Sequence, residues 1–207
     1  KKVQARPWGV MAMLSIVTAV LSAFLDNVTT VLLTVPVTLL ITEELRVKPY
    51  PYLFAQIFAS NIGGTATLIG DPPNIMIGSA VGLTFNDFAY NLSPAIVVIM
   101  AVTMVPLYFV WGRGLRATPE DRERVMKFNE REAITDVRLL KQSLTVIALV
   151  ILGFMLQREI KIEPATIAIF GAAVLLLLDN LGKDAETQSH NVHAALSEAE
   201  WITLMFF

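Results

Sequence analysis

Apolar residues gather along this chain in blocks at about 8–25, 31–41, 52–83, 94–111, 144–156 and 164–178, the pattern expected of membrane segments. Two polar, helix-breaking tracts interrupt them. One is Leu25-Asp26-Asn27-Val28-Thr29-Thr30; the other runs from Asn61-Ile62-Gly63-Gly64 through Gly70-Asp71-Pro72-Pro73-Asn74. Irregular chain facing lipid would leave backbone donors and acceptors unpaired at several kcal/mol each, so such breaks are expected only where they line a protein-enclosed cavity. They mark a site.

Length assigns a role to each block. Residues 31–41 reach only about 16 Å as a helix, half of a hydrocarbon core roughly 30 Å thick. That suits the return limb of a re-entrant hairpin over 8–45 whose tip is Asp26-Asn27. A full crossing out followed by a tilted crossing back fits equally, because the first limb is longer. Residues 52–61 and 75–83 are each a half-membrane helix on either side of the Gly/Pro tract, so 52–83 reads as one broken transmembrane helix. Residues 94–111 read as a plain span ended by the Trp111 anchor. The blocks within 144–178 pair through a tight link as scaffold spans, with Gly153 and Gly171 suited to close helix packing. Residues 201–207 resemble the first turns of a further span. The expected architecture is an all-α, polytopic membrane protein, and the chain reads as a piece of a longer one.

Composition supports the membrane. Hydrophobic residues make up 55% and charged residues 16%, with mean hydropathy +0.60, too apolar for a soluble domain of about 25% charge. A net charge of −2 gives no basis for nucleic-acid binding, and the absence of cysteine excludes disulfides and thiolate metal sites. If the hairpin enters and leaves on one side, fourteen of the sixteen Lys and Arg residues fall on that side, leaving Arg158 and Lys161 opposite. By the positive-inside rule the hairpin opens to the cytoplasm, as does the loop 112–141. Within that loop, Thr118-Pro119-Glu120-Asp121 has the cap, the first-position proline and the acids of a helix start. His190 and His193 read as loop surface.

The polar tracts carry the chemistry. Asp26, Asn27, Thr29 and Thr30 offer oxygens that can cap the return limb or coordinate a cation. Gly63, Gly64 and Gly70 are expected to unwind the chain and expose carbonyl oxygens, while Pro72-Pro73 pre-sets the next helix. Asp71 is the expected N-cap of that helix, whose positive end favours an anionic group. An ionisable group in hydrocarbon costs at least about 2.5–3.5 kcal/mol, so Asp26 and Asp71 are functional candidates.

With these residues in view, the run Ser22-Ala23-Phe24-Leu25-Asp26-Asn27-Val28-Thr29-Thr30 and the tract Asn61 to Asn74 resemble the ion transporter superfamily. Within it the chain is similar to the ArsB/NhaD permeases, in the P-protein-like branch, and more distantly to symporters with citrate-transporter-like domains. The resemblance implies two inverted repeats, each with a re-entrant hairpin and a broken helix, moving elevator-like against a scaffold in a homodimer. It implies a Na+ or H+ coupling ion at Asp26, Asn27, Thr29, Gly63, Gly64 and Thr67, with Na+ itself at Asp26, Asn27 and Gly63. Thr30, Asn61, Thr65, Asp71, Pro72, Pro73 and Asn74 would line the substrate side. No other cofactor is implied. The partners are the lipid bilayer and a small inorganic ion or anion, and the place is the cell membrane, the inner one in a bacterium.

The expected function is therefore secondary active transport by an ion-coupled permease of the anion or arsenite type. A sodium–proton antiporter of the same superfamily is the alternative, since an acid stands where the dicarboxylate branch has a hydroxyl at the hairpin tip. Two intramembrane aspartates also admit an aspartyl protease. Its Gly-x-Gly-Asp signature is not met by Leu68-Ile69-Gly70-Asp71, and no enzyme is expected.

Overall fold

A computed structural model describes residues 5–127 and 136–197, which are helical with no strand among them. The chain divides into two compact units, 1–130 and 131–207.

In the first unit, α1 (Pro7–Ser22) and α2 (Asn27–Glu44) form a helical hairpin against α3 (Tyr50–Gly64). The return limb differs from the expected 31–41. It has 18 residues and so reaches about 27 Å rather than 16 Å. Threonines that lower the hydropathy continue the helix, because they lie on one buried face: Thr30, Thr34, Thr38 and Thr42, every fourth residue. The hydroxyls of Thr34 and Thr38 each stand 2.9 Å from the carbonyl one turn earlier. Leu32, Leu33, Val37 and Leu40 on the other faces are exposed. A helix with its hydroxyls inside and its leucines outside is built for an apolar surrounding.

The break between α3 and α4 (Pro72–Val81) spans 65–71, shorter than the tract expected from sequence. Gly63 and Gly64 are the last residues of α3 and Asn74 lies in the first turn of α4. A Thr84–Asp87 capping box starts α5 (Phe85–Leu107) well before the 94–111 span read from hydropathy, and Pro94 and Pro106 both lie inside it. The helix ends in a π-turn, Tyr108–Gly112, closed by the Arg113 N–H on the Tyr108 carbonyl at 2.9 Å. Missing N–H groups at prolines favour such local re-pairing. The helix expected to start at Thr118-Pro119 is present as α6 (Pro119–Met126), capped by Thr118 and packed against α2.

A core of Val10, Met11, Leu45, Tyr52, Ala55 and Leu107 holds α1, α2, α3 and α5 together, with Val47, Trp111, Leu115 and Val125 packed onto it.

The second unit contains α7 (Val137–Met155), α8 (Gln157–Ile160), α9 (Pro164–Asn180) and α10 (Ala185–Ser197). α7 begins inside the expected loop 112–141, Asp136 capping it through the N–H groups of Arg138 and Leu139. The glycines do what was expected of them. A methyl on Gly171 would sit 2.3 Å from a Val150 side-chain carbon, and one on Gly153 2.8 Å from Ile167, so α7 and α9 approach closely there. His190 and His193 lie on α10, a helix rather than a loop, and are exposed. Residues 201–207, read as a further span, lie outside the described residues.

The segments Phe85–Gly112 and Val137–Met155 are long and apolar enough to cross a membrane, and only 17% and 11% of their most apolar stretches are buried. Core helices of a soluble protein would be mostly buried. These present their apolar surface outward.

Candidate functional site

The hairpin turn and the α3–α4 break, some forty residues apart in sequence, meet in space. Three hydrogen bonds join the hairpin tip to the last turns of α3 and the break that follows. Ser22 Oγ donates to the Ser60 carbonyl at 2.7 Å, Asn27 Nδ2 to Asn61 Oδ1 at 3.2 Å, and Thr67 Oγ1 to the Ala23 carbonyl. Within the break, the Asn74 amide reaches back from α4 to the carbonyls of Thr67 at 2.8 Å and Thr65 at 3.3 Å, while Ser93 on α5 donates to Ala66. The freed carbonyls of the unwound chain are thus met by side chains.

Asp26 and Asp71 are both N-caps, with different side-chain roles. The Asp26 carboxylate accepts from the N–H groups of Val28 at 2.9 Å and Thr29 at 3.0 Å and from the Thr29 hydroxyl. Asp71 caps α4 by backbone position alone, with no side-chain cap hydrogen bond. Thr30 is fully buried and its Oγ1 has no hydrogen-bond partner among the described residues. Pro72 and Pro73 form the first turn of α4, whose missing N–H groups cost nothing there.

Gly63, Gly64 and Gly70 depart from the sequence reading. Positive φ is confined to Gly82 and Gly182 among the described glycines, so these three are not needed to unwind the backbone. They permit contact instead. A Cβ on Gly63 would fall 2.1 Å from the Ala19 carbonyl oxygen, and one on Gly70 would fall 2.5 Å from the carbonyl oxygens of both Gly64 and Ser22. The missing side chains let the hairpin backbone rest directly on the break.

Behind the turn lies a polar relay that hydropathy hides. Gln56 on α3, fully buried, donates from Nε2 to Thr18 Oγ1 at 3.3 Å, and its Oε1 is 2.9 Å from Thr38 Oγ1. It links both limbs of the hairpin to the broken helix. Two signals could have revealed it: the four-residue threonine spacing on α2, and a lone amide in an apolar block. An apolar cavity of about 470 Å³ adjoins the site between α1, α3 and α5, lined by Ala19, Ala23, Gly63, Ala66, Ser93 and Val97 among others.

The described residues contain no group of three His, Asp or Glu side chains able to hold a metal ion. The ligands on offer are those suited to a weakly held cation: the Asp26 carboxylate, the Asn27 carbonyl oxygen and backbone carbonyls. The Asn61 carbonyl accepts from both the N–H and the hydroxyl of Thr65, whereas that of Gly63 takes one N–H, from Ala66.

The chain is similar to known proteins over most or all of its length. It is 44% identical over all 207 residues to an uncharacterized transporter of Mycobacterium tuberculosis. It is 33% identical over 178 residues, 86% of the chain, to the magnetosome protein MamN of Magnetospirillum gryphiswaldense. The pig P protein is 29% identical over an alignment of 276 residues that covers 99% of the chain. The chain spans 46%, 40% and 32% of the lengths of these three relatives, less than half of each. Residues 1–207 match the family described as citrate transporter, and the chain belongs to that transporter family.

Proposed function

We propose that the chain forms one half of the transport path of an ion-coupled secondary active transporter, a permease of the anion or arsenite type that uses Na+ or H+. The observation that carries this reading is the docking of the hairpin turn on the helix break through Ser22–Ser60, Asn27–Asn61 and Thr67–Ala23. In this reading Asp26, Asn27, Thr29, Gly63, Gly64 and Thr67 hold the ion, and Thr30, Asn61, Thr65, Asp71 and Asn74 line the substrate side, with Pro72 and Pro73 fixing the start of α4. An ion bound there ties hairpin to break and favours one arrangement of this bundle over another. Differential affinity of that kind drives alternating access, here as an elevator-like motion against a scaffold. The full-length protein would be a multi-pass homodimer in the cell membrane.

A second reading, a sodium–proton antiporter, is favoured by one observation: the Asp71 carboxylate is free of capping duty. Proteoliposomes of the full-length protein separate the two. A permease moves labelled arsenite or an organic anion down an imposed Na+ or H+ gradient; an antiporter acidifies or alkalinises the lumen on a Na+ gradient with no anion present. Asp26→Asn and Asp71→Asn should each abolish either activity. Transport that survives both changes with unaltered ion dependence overturns the site.

A further inference from the structure

At the end of the first unit remote from the hairpin turn, aromatic and basic residues gather around one core. Tyr50, Phe54 and Phe58 recur one turn apart on α3, with ring centroids 5.6 Å and 5.0 Å apart. The π-turn after α5 sets Trp111 edge-on against Tyr50 at 5.9 Å and Phe54 at 5.3 Å. Arg113 lies over the Phe109 ring at 5.6 Å. Val47 on one strand of chain, and Trp111, Leu115 and Ala117 on the other, turn inward onto the same core. The residues between them, Lys48, Arg113 and Arg116, are therefore left outward and exposed.

Charge is the informative part. Ion pairs at this end join Arg46 and Arg124 to Asp121 and Lys127 to Glu123, among others. Lys48, Arg113 and Arg116 have no ion pair among the described residues, although acids stand close in sequence. Tyr50 is 59% exposed and Phe109 60%, so the rings are not hidden behind the cations. Exposed cations without ion pairs, at the same end as a row of aromatic rings, match an amphiphile with an anionic head and apolar tails. Aromatic rings sit at the headgroup level of a bilayer, and basic pockets between membrane helices bind phosphate headgroups.

We infer that this face binds an anionic phospholipid, its phosphate held by Lys48, Arg113 and Arg116 and an acyl chain lying along Tyr50, Phe54 and Phe58. The π-turn is what assembles the site, since it carries Trp111 onto α3 while projecting Arg113 outward. Each cation should contribute about fivefold to affinity.

The test uses full-length protein in a neutral detergent, titrated with phosphatidylglycerol, phosphatidylcholine or inorganic phosphate, with bound lipid counted by native mass spectrometry. Phosphatidylglycerol should bind at far lower concentration than phosphatidylcholine, and inorganic phosphate should not compete at equal concentration. Lys48→Gln combined with Arg113→Gln should weaken phosphatidylglycerol binding roughly 25-fold and leave phosphatidylcholine unchanged, whereas Lys161→Gln should change neither. Trp111→Leu should weaken both lipids. Equal binding of the two lipids by the unaltered protein, or undiminished phosphatidylglycerol binding by the double variant, overturns the inference. So would a finding that a second copy of the protein, rather than lipid, covers this face.

Discussion

Asp26 and Asp71 occupy the same structural position, an N-cap, and only Asp26 spends its carboxylate on it. Asn caps a helix as well as Asp does, so Asp26→Asn should leave thermal unfolding of the full-length protein within about 0.5 kcal/mol, while Asp26→Ala loses ~1 kcal/mol. At Asp71 the two substitutions should be equally mild, because no capping bond exists to lose. Transport fails in every case if the charge is what the site needs. Differential scanning fluorimetry beside uptake separates the two effects. Gly63 makes a purely steric prediction: Gly63→Ala drives a methyl into the Ala19 backbone, forces α1 from α3 and costs about 1–3 kcal/mol. A melting temperature unchanged by that substitution would mean the hairpin does not rest there.

Among the elements, α1, α2 and α3 are joined by a buried amide as well as by apolar packing. Gln56→Leu should strand Thr18 and cost about 0.5–2 kcal/mol, the range measured for hydrogen bonds between membrane helices, whereas Gln56→Glu tests whether the relay tolerates a charge. Disulfide trapping between α1 and α3 would report whether their separation loosens. α6 gives the pH-dependent case. The Thr118 hydroxyl and backbone, with Arg124 beside them, hold the Asp121 carboxyl below the usual carboxylate range. A depressed value means that the cap's contribution is fully present above the ordinary aspartate pKa and is lost as the pH falls through the folded one. Acidification below the ordinary carboxylate range should therefore release α6 from α2, seen as faster amide exchange over Pro119–Met126, and Thr118→Ala should move that release to higher pH.

For the molecule as a whole, the distribution of Lys and Arg makes a prediction about sidedness. The chain has no cysteine, so a thiol placed at Arg116 or at Lys161 reports alone within it. A membrane-impermeant maleimide applied to intact cells should label Lys161→Cys and reach Arg116→Cys only after permeabilisation. The reverse result would invert the topology. Equal labelling at both positions would mean an odd number of crossings between them is wrong.

How much of this was legible in the sequence depended on the range of the physics. The cap at Thr118, the caps at Asp26 and Asp71, the start of α4 at Pro72 and the close packing at Gly153 and Gly171 follow from residues within a few positions of one another, or from the need for small side chains between helices. Hydropathy located the apolar helices for the same reason, and the two tract motifs pointed to the superfamily of the transporter family that the chain matches. It failed on length where polarity faces inward: α2 is 18 residues because its threonines are buried, and α5 reaches back to Phe85 because a capping box starts it. The role of Gly63, the Gln56 relay and the contact of hairpin turn with helix break join positions up to 44 residues apart. Only the fold brings them together, because a hydrogen bond or a backbone contact acts over a few ångströms, whatever the separation along the chain.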